Sequence, residues 1–133
     1  AAAVAPGRIT QMNKDPRGFA EFRRWQEEHS ALGLANTQRG VQIKRATIFQ
    51  LESALRRMKV PFFVVSGDED DNCVAPAVFM KRMCPAARLW ICPATGHTVN
   101  TEEPELFNRM LGEFLATVDQ RRWRPRDPRS VVK

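Results

Sequence analysis

The sequence predicts an α/β chain built around one strand-helix-strand unit whose two strands run parallel. Two short apolar runs, residues 62–65 and 89–91, are bounded by turn residues and read as buried strands rather than half-exposed alternating ones. Between them residues 74–84 are long enough for a helix and are closed by Pro85. That order requires a crossover connection, which makes the strands a parallel pair. A polar cluster follows each strand: Ser66-Gly67-Asp68-Glu69-Asp70-Asp71 after the first and Thr95-Gly96-His97 after the second. Parallel strands bring both clusters to one sheet edge, the edge where open α/β sheets keep their sites.

Taken in order, the chain opens with helix and loop. Asp15-Pro16 is an N-cap with proline at the first helical position, and Phe19, Phe22 and Trp25 then recur at helical spacing up to Gly33, read as the C-cap. His29 falls near the end of that helix, where it suits the negative end of the dipole and has no catalytic signal. Residues 37–42 read as a loop or loosely wound turn. A second helix over 47–58 has Ile48, Leu51, Leu55 and Met58 on one stripe. Pro61 then opens the first strand, a position where proline is tolerated. The last helix, 103–118, sets Leu106, Phe107, Met110, Leu111, Phe114, Leu115 and Val118 on one face, with acids at its positive end. It is expected to pack over residues 89–91. The implied organisation is a helical segment and loop over 1–46, an α/β core over 47–118 and a basic tail over 119–133.

Composition bounds the rest. A chain of 133 residues with 43% hydrophobic residues and three Trp is not a disordered one, and it is too short for a complete doubly wound sheet. No apolar run approaches the roughly 18 residues a membrane span needs. Residues 1–6 are too short and uncharged for a signal peptide and read as a point where the chain was cut. Cys73, Cys84 and Cys92 are odd in number and lack metal-ligand spacing, so reduced thiols, a cytoplasmic setting and no metal or cofactor are expected. The net charge of +6 is concentrated after residue 120, where Arg121, Arg122, Arg124, Arg126, Arg129 and Lys133 face one acid, Asp127. A basic stretch with Pro125 and Pro128 and no apolar period reads as a flexible, solvated terminus. An RNA, lipid or acidic protein partner for it is the alternative.

The second half of the chain resembles the last third of the α/β-hydrolase fold. The segments concerned are Pro-Phe-Phe-Val-Val-Ser-Gly-Asp-Glu-Asp-Asp-Asn-Cys and Arg-Leu-Trp-Ile-Cys-Pro-Ala-Thr-Gly-His-Thr-Val-Asn-Thr-Glu-Glu-Pro-Glu-Leu-Phe-Asn. In that family a G-x-x-D segment supplies the triad acid and a G-H segment the triad histidine. The resemblance therefore implies Asp70 as the acid, ahead of Asp68 or Asp71, and His97 as the general base. It also implies that Glu102, Glu103 and Pro104 open the final helix, and that the first 46 residues form part of a helical lid.

An acid and a histidine on adjoining strand-end loops meet the demand of a Ser-His-Asp site, in which the carboxylate holds the imidazole tautomer. The order of acid before histidine is also that of α/β hydrolases. The nucleophile is missing: Ser30, Ser53, Ser66 and Ser130 all lack the G-x-S-x-G setting. A base with nothing to activate hydrolyses nothing. The expected function is thus the C-terminal half of a serine-type hydrolase for an ester-like small molecule. The other half would come from the same parent chain, a second chain or a homo-oligomer. The alternative is a binding or scaffold module.

Overall fold

The computed structural model describes residues 4–131. Its centre is β1 (Phe62–Gly67) and β2 (Ala87–Cys92), paired parallel in a register running from Phe62 opposite Ala87 to Gly67 opposite Cys92. Between them runs α5 (Asp71–Met83), which starts three residues before the predicted point. Asp71 in its first turn suits the positive helix end, so the acid cluster is partly helix start rather than all turn.

The core lies on the face covered by α4 (Glu52–Arg57) and α5. Leu55, Val64, Ala77, Cys84, Ala86 and Ala87 are buried together, with Ile48, Met58 and Phe79 packed against them. Burial of such side chains contributes about 25 cal/mol per Å² of apolar surface, so this cluster holds the crossover in place.

The helices ahead of the sheet differ from expectation. The predicted helix 16–33 is two: α2 (Pro16–Glu27) and α3 (Ala31–Thr37). Ser30 caps the second, its hydroxyl accepting the Gly33 N–H at 3.1 Å, so Gly33 belongs to a first turn and is not a C-cap. The predicted turn after it continues as a wide π-helical turn, Gln38–Gln42. The helix predicted over 47–58 begins as a tight 3-10 turn, Ile48–Leu51, because Thr47 and Gln50 cap each other reciprocally.

The final helix is α7 (Pro104–Asp119), preceded by the single turn α6 (Val99–Glu102). Its aromatic anchor is on β1 rather than over 89–91: Phe114 stacks on Phe63 with ring centroids 5.4 Å apart. The tail expected to be free is tied down. Trp123 donates its indole N–H to the Ala86 carbonyl at 2.8 Å and meets Phe114 edge-on, and Arg88 stacks over its ring. The Arg126 backbone N–H donates to the Pro85 carbonyl, and Arg129 pairs with Asp127. Periodicity could not show this, because one Trp anchors the segment. Lys133 lies outside the described residues. Ahead of the sheet, a 3-10 turn at Pro6–Arg8 and α1 (Ile9–Lys14) lead into α2. No helix among the described residues is long and apolar enough to cross a membrane.

Candidate active site

Asp70 and His97 meet at the carboxyl ends of the two strands. Asp70 is the last residue before α5 and His97 lies in the loop between β2 and α6, which is where a parallel pair should bring them. The Asp70 Oδ2 and His97 Nδ1 atoms are 2.6 Å apart. Asp70 is buried, whereas the His97 side chain is 53% exposed. With Nδ1 facing a carboxylate, a neutral ring carries its proton there and presents the lone pair of Nε2 outward. Asp68, the other acid weighed, turns instead to backbone: its Oδ1 accepts the Thr95 N–H at 3.2 Å.

The loop bearing His97 is held on every side. Glu102, buried at the end of α6, accepts the Gly96 N–H at 2.9 Å with one carboxylate oxygen and the Thr98 N–H at 3.3 Å with the other. It thus grips the backbone on both flanks of the histidine. The His97 N–H itself donates to the Gly7 carbonyl at 2.7 Å. Backbones approach closely here: a Cβ on Gly67 would run into the Thr95 and Gly96 carbonyls, and one on Gly96 into the Gly7 carbonyl. Only glycine fits at either point.

Arg8 closes the same side, donating to Gln11 Oε1 at 3.0 Å and Thr98 Oγ1 at 2.9 Å while lying 4.1 Å over the Phe22 ring. Its burial pushes the guanidinium pKa down, opposed by the charges of Glu102 and Asp70. A cleft of about 440 Å³ runs beside it, lined by Ala5, Phe19, Phe22 and Arg23 among others.

Cys73 completes the neighbourhood, its Sγ 3.9 Å from His97 Nδ1. Burial, then its hydrogen bond to Asp70 and that carboxylate's charge, push the thiol pKa up to about 11. The thiol is therefore protonated near neutrality.

No family model matches the chain. A Bacillus subtilis protein described as a candidate 2-succinyl-6-hydroxy-2,4-cyclohexadiene-1-carboxylate synthase is 31% identical over 90 residues, which are 68% of this chain and 32% of the relative. That relative is a protein of the α/β-hydrolase fold family, to which this chain is similar. Among solved structures, MenH from S. aureus aligns with a TM-score of 0.48 at 32% identity, covering 50% of this chain and 25% of that one. The chain spans about a third of its Bacillus relative, and as an α/β-hydrolase segment it fits the C-terminal part of the fold.

Sequence reasoning brought Asp70 and His97 together. It missed the supports of this pair: Gly7, Arg8 and Gln11 were unmarked, Cys73 was read only as a reduced thiol without metal-ligand spacing, and Glu102 only as helix opening. Gly7 and Arg8 carry no local signal, since their role is made by the fold some 90 residues later.

Proposed function

We propose that this chain supplies the acid and the general base of a serine-type α/β hydrolase acting on an ester-like or related small molecule. The nucleophile would lie on residues outside these 133. The observation that supports the reading is the 2.6 Å contact between buried Asp70 and half-exposed His97. In this reading Asp70 holds the Nδ1–H tautomer, and His97 Nε2 takes the proton of a serine hydroxyl as it attacks the carbonyl. The ring then returns that proton to the leaving group. The name of the Bacillus subtilis relative favours a second reading, in which the same pair serves a synthase of that cyclohexadiene carboxylate type.

The test uses the intact protein that contains these residues, with p-nitrophenyl esters as substrate. His97→Ala should remove nearly all turnover, and Asp70→Asn should lower kcat by about four orders of magnitude. Asp68→Asn should be mild, because an amide oxygen still accepts the Thr95 N–H. Equal losses at 68 and 70 would mean that the acid is misassigned. Undiminished turnover in His97→Ala would remove the base.

A further inference from the structure

Three donors of different chemistry converge where the two strands end. A carboxylate oxygen of Asp70, Cys73 Sγ and a ring nitrogen of His97 all lie within 4.8 Å of one another. Asp70 and Cys73 are three residues apart across the start of α5, and His97 comes from the neighbouring loop. We infer that Asp70, Cys73 and His97 form a binding site for a divalent cation of the zinc class, whose occupancy switches the base off.

A mixed sulfur, nitrogen and oxygen set suits a borderline-soft ion such as zinc and does not suit magnesium or calcium. Around tetrahedral zinc such donors stand roughly 3.3 to 3.6 Å apart, given its usual bond lengths. The 3.9 Å between Cys73 Sγ and His97 Nδ1 has to contract slightly, and the 2.6 Å between Nδ1 and Asp70 has to widen as the ion replaces the proton there. The half-exposed His97 ring has room to make that adjustment. The fourth position is left for water. Cys84 and Cys92 are buried, and no comparable donor group surrounds either among the described residues.

Binding exchanges protons and moves no electrons. Cys73 gives its thiol proton to solvent, and the neutral imidazole keeps one proton, transferred from Nδ1 to Nε2. A ring with Nδ1 on the metal and Nε2 protonated has no lone pair left for a nucleophile's proton, so the ion is an inhibitor. That final step rests on the proposed role of His97; the binding step does not.

Cadmium serves as the optical probe, since its thiolate bond absorbs in the ultraviolet and zinc can then be measured by displacement. Reduced, chelator-treated intact protein titrated with cadmium chloride is expected to show a thiolate band of one ion per chain that Cys73→Ser removes and Cys84→Ser keeps. His97→Ala should weaken zinc displacement by at least about tenfold, the scale even an outer-shell partner is worth. A band that survives Cys73→Ser, or an affinity unchanged in His97→Ala, overturns the site. Zinc should also slow ester hydrolysis by the parent protein and not by Cys73→Ser, each judged against its own metal-free rate. Zinc bound at Cys73 with hydrolysis unimpaired overturns the switch and counts against His97 as base. No binding, with hydrolysis still dependent on His97, overturns the site and leaves the hydrolase reading intact.

Discussion

Cys73 shows how one neighbour sets another's chemistry. Its raised pKa means that the folded protein holds the proton across the physiological range, and thiolate appears only as pH climbs toward about 11. Iodoacetamide labelling of Cys73 should accordingly be slow at about pH 8 and accelerate well above the range of an ordinary thiol. Asp70→Asn should bring that profile down, because the carboxylate's charge is gone; rapid labelling of the parent protein at about pH 8 would contradict the assignment. Glu102 acts through the backbone rather than on a substrate, so it is a positioning residue. Glu102→Gln keeps one acceptor but turns an amide NH₂ toward the other N–H, which should lower kcat roughly tenfold to a hundredfold through misplacement of His97. KM should scarcely move, and a loss confined to KM would argue for substrate contact instead. Asp70 and His97 were legible because each follows an apolar strand run in a short recognisable segment. Glu102 was not, because a carboxylate that binds two backbone N–H groups looks in sequence like any acid at a helix start.

At the scale of elements, the strand-helix-strand unit was readable because its apolar runs are contiguous and its turns polar. The split between α2 and α3 was not, since the periodicity of Phe19, Phe22 and Trp25 runs on to a glycine while the Ser30 cap offers only one hydroxyl. The tail was misjudged for a related reason: a lone Trp has no period. Trp123 combines a hydrogen bond to Ala86, an edge contact with Phe114 and the Arg88 guanidinium over its ring. Trp123→Ala should therefore destabilise the fold by about 2 kcal/mol, below the usual cost of a fully buried Trp because the side chain is only half-buried. Trp123→Phe should recover about half of that, the remaining loss of about 1 kcal/mol being the hydrogen bond. Urea melts of the two variants check the pair, and an unchanged midpoint for Trp123→Ala would show that the tail is not docked in solution.

Across the whole molecule, each strand has a single partner among the described residues, and α7 has no fully buried side chain. Leu115 is 50% exposed on a helix whose apolar face is otherwise continuous. An unpaired strand edge beside a half-covered apolar face invites association. Residues 1–133 expressed alone should therefore self-associate in sedimentation, and co-expression with a nucleophile-bearing half should give a soluble complex; a cooperative monomer would refute the need for that half. The Gly7 carbonyl that receives the His97 N–H has a further consequence, for the timing of folding. Arg8 and Thr98, joined beside it, are separated by 90 residues, so the Asp70–His97 pair is sealed by one of the longest loop closures among the described residues. Such closures cost chain entropy before they return any contact energy. The helices and the crossover form from nearby residues, so the seal over His97 is expected to close after them, an order that hydrogen exchange of the His97 amide checks.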